Sequence, residues 1–354
     1  MSKKFFKTIL INLLILYNFL ILILFAPSIG YFAYRFLIGS NNQSKIRKNY
    51  KNRKDLIGPL IEFEKLSYSY HDFIIWRRNK YNGNFININS AGVRQSLQPE
   101  LSSIDEYIFF GGSTMFGYGV EDNKTIPSLF SKSTQKNVIN LGDTGYTARQ
   151  SLALYTNYLI NNKFNPTNNL KIITYDGAND IWQRCRREVK GIETEQQIKI
   201  REKLNIKYGS INYFLRPWKL AFNFFNPKIN PSVELLDCHK DSQKAEYVAE
   251  TLIRTWRKMY EIAKSNNHEF TAVLQPVIYL EGEKINKDFI DIYGKQFVKV
   301  YPIIKKKVQR EKFNFLDLTN ELKGKRHTVY IDFCHLDSKG NKFIAEALKN
   351  YLLK

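Results

Sequence analysis

Cysteine is scarce in this chain: Cys185, Cys238 and Cys334 are the only three in 354 residues. They have neither C-x-x-C spacing nor an even count, which argues against a disulfide framework or a structural zinc site. A single pair stays open if the domain is exported. Acidic residues are also few, 33 Asp and Glu against 54 Lys and Arg, for a net charge of +21. The basic residues are spread among many Asn, Ile, Tyr and Phe with no RRM, KH, zinc-finger or helix-turn-helix pattern, so no nucleic-acid partner is expected. Internal repeats and low-complexity tracts are missing. A hydrophobic content of 44% excludes disorder as the default and suits one sizeable globular domain with accessory segments.

Charge is absent from residues 8 to 34, a gap of 27 residues, and Ile9 to Phe25 is apolar apart from Asn12 and Asn18. About 20 such residues suffice for a transmembrane helix. A basic tail (1–7, with Lys3, Lys4 and Lys7) followed by a span over 8–38 also fits a cleaved signal peptide, but the apolar run is long and lacks an A-x-A site, so a single-pass anchor is the expectation. The side of the membrane is open. Arg35 to Lys54 is more basic than the tail, which taken alone retains the domain in the cytoplasm. The short tail that precedes the helix instead resembles a signal-anchor that stays inside, and the globular domain is expected to be extracytoplasmic. Residues 39–84 read as a basic juxtamembrane linker and lead-in, and anionic lipid suits the charge there.

From residue 85 onward, apolar runs alternate with helical periodicity. Strands are expected near 106–110, 137–141, 171–176, 270–275 and 314–317, with helices near 125–134, 147–161, 286–309 and 338–352. A longer helix at 243–264 carries Val248, Leu252, Ile253, Trp256 and Tyr260 at spacings of three and four. This rhythm predicts an α/β class protein with a parallel sheet covered by helices. Residues 183–241 show no clear period and read as an insertion. Its aromatics Tyr208, Tyr213, Phe214, Trp218, Phe222, Phe224 and Phe225 suit a lid, a sugar-stacking surface, a local core or a membrane-contacting surface.

Four polar motifs follow the apolar runs: Gly111-Gly112-Ser113-Thr114, Asn140-Leu141-Gly142-Asp143-Thr144-Gly145, Gly177-Ala178-Asn179-Asp180 and Asp332-Phe333-Cys334-His335. In open α/β sheets, loops at the carboxyl ends of strands converge on one crevice. Ser113 is a candidate nucleophile, and a serine there needs a base. His335 supplies one, with Asp332 three residues earlier to orient its ring. Ser338 is the expected cap of the helix that follows. Oxyanion donors are the backbone N–H groups of Ser113 and Gly145 and the side-chain amide of Asn179. Any one of these motifs alone is ordinary turn chemistry; the ordered set is specific. Asp180 reads as a turn or helix-start residue. Arg94 is a candidate substrate contact or a structural ion-pair partner. No cofactor is expected. The crowded set Asp332, Cys334, His335 and Asp337, with no second cluster, is not expected to hold a metal.

These motifs resemble the four blocks of the SGNH (GDSL-like) hydrolase family, carried here by Ser113, Gly145, Asn179 and His335. Gly112 departs from the aspartate common in the first block without removing a catalytic group. Asn89-Ser90-Ala91-Gly92-Val93-Arg94 resembles an N-S-x-G-x-R segment of membrane-anchored members, and Val273-Leu274-Gln275-Pro276 and Gly340-Asn341 are similar as well. The likeness runs from about Phe85 to the C-terminus and is weakest over 183–241. It implies a three-layer, flavodoxin-like α/β/α domain over 85–354 and serine-dependent hydrolysis of an acyl ester on a lipid or glycan. A membrane-tethered binding module of the same fold, or an O-acyltransferase with the same residues, are the competing readings.

Overall fold

The computed structural model describes residues 3–99, 105–161, 169–187, 189–191, 236–280, 292–325 and 329–354. The chain divides into two compact units, one holding the described residues up to 49 and the other the described residues from 50 onward. In the first, α1 (Lys3–Asn49) is one continuous helix. Its stretch Phe5–Leu22 is long and apolar enough to cross a membrane, with none of it buried. The helix continues into the start of the expected linker, to Asn49, with Arg47 and Lys48 in its last turn, cations that complement the negative end of the helix dipole. The aromatic residues of the 183–241 insertion lie outside the described residues.

The second unit is an α/β fold built on five parallel strands: β5 (Asp105–Gly111), β6 (Asn137–Asn140), β7 (Asn169–Asp176), β8 (Glu269–Leu274) and β9 (Asn314–Asp317). Along the sheet they run β6-β5-β7-β8-β9, the doubly wound order whose ligand crevice opens at the reversal between β5 and its neighbours. The strands read as apolar runs because both faces are covered. Tyr107, Phe109, Ile173, Tyr175 and Val273 pack in one core with Ile126 and Phe130 of α4 (Ile126–Thr134) and Ile344 and Leu348 of α9 (Ser338–Leu352). On the other face, Phe110 meets Tyr155 of α5 (Ala148–Asn161) edge-on at 5.6 Å. The amphipathic α7 (Ser242–Ser265) buries Val248, Leu252, Ile253, Trp256 and Met259 on that side, and α8 (Ile292–Val308) buries Phe297, Val300 and Ile304. Asp241 caps α7 by accepting from Lys244 N at 3.0 Å, the role expected of a short acid at that position.

Residues expected to form only a lead-in are integrated into this unit. Here α2 (Lys54–Phe63) and two hairpins, β1 (Tyr68–His71) with β2 (Ile75–Arg78) and β3 (Tyr81–Asn82) with β4 (Asn87–Ile88), bury Leu56, Leu60, Trp76, Ile86 and Ile88. Two short helices start directly after strands: α3 (Ser113–Phe116) and α6 (Ala178–Arg184). At the end of α6, Cys185 and Cys238 form a disulfide, the single pair left open by sequence. With the Asp237 N–H donating to Cys185 O at 2.9 Å, the bridge pins together the two ends of the insertion. The helix cap differs from expectation. Asp337, not Ser338, caps α9, its carboxylate accepting from Gly340 N at 2.9 Å.

Candidate active site

The turn after β5 carries Ser113 into the first position of α3, so its side chain stands at the carboxyl end of β5. From the C-terminal side, the loop 332–335 lies against it. His335 Nε2 is 2.6 Å from Ser113 Oγ, and His335 Nδ1 is 2.6 Å from Asp332 Oδ2. The other Asp332 oxygen accepts from the backbone N–H groups of Cys334 and His335 at 3.0 and 2.9 Å. The carboxylate thus fixes both its own loop and the imidazole. Desolvation pushes the Asp332 pKa up, but the adjacent His335 and these hydrogen bonds outweigh it and hold the group below the usual carboxylate range.

The oxyanion candidates come from the two flanking loops. Asn179, in the first turn of α6, donates to Tyr146 O at 2.9 Å, and Gln183, one turn on, donates to Gly145 O at 2.7 Å. Two amides of one short helix therefore brace the loop after β6. Asn179 also lies against the residue before the nucleophile: a β-carbon on Gly112 would fall 2.3 Å from Asn179 Nδ2. That contact gives a physical reason for glycine at 112 in this chain. The N–H groups of Ser113 and Gly145 have no acceptor among the described residues, and Asn179 keeps a second amide hydrogen.

These contacts place the segments that carry Ser113, Gly145, Asn179, Asp332 and His335 next to one another. Arg94 does not join them. It is 1% exposed and donates to Asp122 Oδ1 (2.9 Å), Phe116 O (2.8 Å), Gly117 O (2.6 Å) and Val120 O (2.7 Å). With four of its five N–H groups committed inside the protein, the substrate-contact reading is corrected to a structural one. Sequence reading also missed the buried Asp143, in ion pairs with Arg78 at 3.3 Å and Arg77 at 4.0 Å, which anchors the β6 loop to β2. Their separation of some 65 residues left no local signal.

Two buried acids underlie the Asn179 turn. Asp180 accepts from Ala148 N at 3.2 Å. Asp176 accepts from Trp256 Nε1 at 2.9 Å and from Thr174, while its second oxygen has no partner among the described residues. Burial, with the like charge of Asp180, pushes Asp176 up to about 7.

A metal fits poorly. Ligand atoms of Asp332, Cys334 and His335 lie within 4.8 Å of one another, but His335 Nδ1 and Asp332 are engaged with each other. Burial and then Asp332 also push the Cys334 thiol well up, which opposes the thiolate a metal needs.

No family model and no curated protein match the chain. Among solved structures it is similar to a member of the lipolytic G-D-S-L family from Veillonella parvula, at 15% identity over 71% of this chain and 99% of that one, TM-score 0.42. It is similar to a carbohydrate acetylesterase family member from Sinorhizobium meliloti, at 13% identity over 70% and 97%, TM-score 0.40. A catalytic mutant of an acetylxylan esterase from Geobacillus stearothermophilus is similar at 14% identity over 71% and 95%, TM-score 0.40. Likenesses at this level do not decide activity.

Proposed function

We propose that this protein is a membrane-anchored serine esterase or deacylase of the SGNH type, acting on an acyl ester of a glycan or lipid. The observation that carries the reading is the continuous hydrogen-bonded relay Ser113–His335–Asp332, 2.6 Å at each histidine nitrogen. Ser113 Oγ attacks the acyl carbon while its proton passes to His335 Nε2, and Asp332 holds the resulting imidazolium through Nδ1–H. Charge developing on the carbonyl oxygen is met by the N–H groups of Ser113 and Gly145 and by the Asn179 amide. His335 then returns the proton to the leaving alkoxide, giving an acyl-serine, and water, activated by the same histidine, releases the acid.

The apolar stretch Phe5–Leu22 supports an anchor. The Cys185–Cys238 bridge supports placing the second unit on the oxidising, extracytoplasmic side, because disulfides persist there and not in reducing cytosol. The test is hydrolysis of short and long p-nitrophenyl acyl esters by the detergent-solubilised full chain, with Ser113→Ala and His335→Ala alongside. Turnover lost in both variants is expected. Turnover that survives Ser113→Ala refutes the mechanism, and none from folded wild type removes its support.

A further inference from the structure

Resting on the serine mechanism just proposed, we infer that Tyr118 is a fourth member of the relay, a positioning residue whose ring face supports the His335 imidazolium. Its ring centroid lies 4.4 Å from that of His335, with the planes tilted by 41°. A cation over an aromatic face at this range is attracted by the ring quadrupole, and the attraction grows as water is excluded. His335 is neutral when it accepts the Ser113 proton and cationic at the tetrahedral stage. The contact therefore stabilises the transition state more than the ground state, which is the condition for raising kcat.

The local chain is built to deliver this ring. Tyr118 stands between two glycines in the left-handed region, Gly117 at φ +92° and Gly119 at φ +80°. Side chains are barred at both: a β-carbon on Gly117 would fall 2.5 Å from Thr125 Cγ2, and one on Gly119 would fall 2.6 Å from Ile331 Cδ1. The Tyr118 N–H donates to Ser113 O at 3.0 Å, tying the ring to the nucleophile's own turn. Arg94 holds the carbonyls of Phe116, Gly117 and Val120 on either side of it. Phe63 packs edge-on against Tyr118 at 4.7 Å. Burial, then the negative charge of Asp332, pushes the phenol well up, so the ring presents a neutral face. The buried arginine that sequence offered as a substrate contact thus clamps the loop that seats Tyr118 on the base.

The groups facing His335 are Asp332 at Nδ1, Ser113 at Nε2, the Cys334 sulfur 3.9 Å from Nδ1, and the Tyr118 ring. Tyr50 lies within electrostatic reach of Asp332, and Arg53 pairs with Asp337. Replacing only the aromatic face leaves the rest in place.

The experiment compares full-length wild type, Tyr118→Phe and Tyr118→Leu in p-nitrophenyl ester turnover across pH, with thermal unfolding as a check on folding. Tyr118→Leu is expected to lower kcat about 5- to 30-fold with KM little changed, and to move the acid limb of kcat/KM down by roughly half to one pH unit as the cation loses support. Tyr118→Phe, which keeps the face and loses the hydroxyl, should recover kcat to within about twofold and restore the limb. A wild-type profile in folded Tyr118→Leu overturns the inference, as does equal loss in Tyr118→Phe. If Tyr118→Leu does not fold, an unrestored acid limb or kcat in Tyr118→Phe still overturns it. Absence of Ser113-dependent turnover in wild type is a different result: it removes the serine mechanism itself.

Discussion

Asp176 offers a test of the buried architecture beneath the Asn179 turn that is independent of any substrate. The residue is 2% exposed, with one carboxyl oxygen unpartnered among the described residues, and burial beside Asp180 raises it from the ordinary 3.8 to about 7. In the fold it therefore keeps its proton up to about pH 7, whereas the unfolded chain releases it near pH 4. Over that interval the folded state binds more protons, so stability falls as pH rises, and the loss is complete above the folded value. A rise of about three pH units at about 1.4 kcal/mol each gives about 4 kcal/mol, shared with the coupled Asp180. Asp176→Asn keeps the shape and removes the titration. The assay is thermal unfolding of wild type and Asp176→Asn at a series of pH values, read as the difference between the two so that other groups cancel. Near pH 4.5 the melting temperatures should nearly coincide. By pH 8 the variant should melt roughly 8 °C higher, at about 2 °C per kcal/mol for a unit of this size. A difference that stays flat between pH 4.5 and 8 refutes the reasoning.

Three other outcomes follow from the same contacts. Arg94→Met should destabilise the fold by about 3–5 kcal/mol, because Asp122 is left without its cation, and lower the melting temperature without raising KM; a raised KM at unchanged stability would restore the substrate-contact reading. In Gly112→Ala the new methyl displaces Asn179, the flexible end of a side chain. The melting temperature should therefore change little while kcat falls about 10²-fold, as for loss of one oxyanion donor; retained kcat contradicts Asn179 in that role. Cys185→Ser with Cys238→Ser opens a loop with a sequence separation of 53 and should cost about 4 kcal/mol on a loop-entropy basis, read by thermal unfolding against wild type under non-reducing conditions. Unreduced peptide mapping of protein from cells should find this pair bridged and Cys334 free.

Much of the fold was legible because its strands are buried on both faces and so appear as short apolar runs, Tyr107–Phe110 and Ile172–Tyr175 among them. The 3.6 periodicity of α7 was equally plain. By contrast, α6 is seven residues long and opens on polar residues committed to the site, so no periodic stripe marks it. The two-residue strands β3 and β4 are held by distant partners, not by local propensity. The candidate residues Ser113, Gly145 and Asn179 could be read from sequence because each comes soon after a strand, whereas Asp332 and His335 were read from their spacing just ahead of the last helix. Arg94 was ambiguous because three of its four acceptors are backbone carbonyls, which leave no trace in side-chain identity. Tyr118 passed unnoticed for a related reason: the flanking glycines are a local signal, but the histidine they aim at lies 217 positions on, reckoned from the residue numbers. Asp337 and Ser338 are both competent caps, and only the backbone decides between them.

The most direct test of the serine mechanism is to treat the full chain with a fluorophosphonate and map the modified peptide by mass spectrometry, with Ser113→Ala and His335→Ala in parallel. A single adduct on Ser113, absent in Ser113→Ala and formed far more slowly in His335→Ala, is the expected result. Adduct formation elsewhere, or at an undiminished rate without His335, would contradict it.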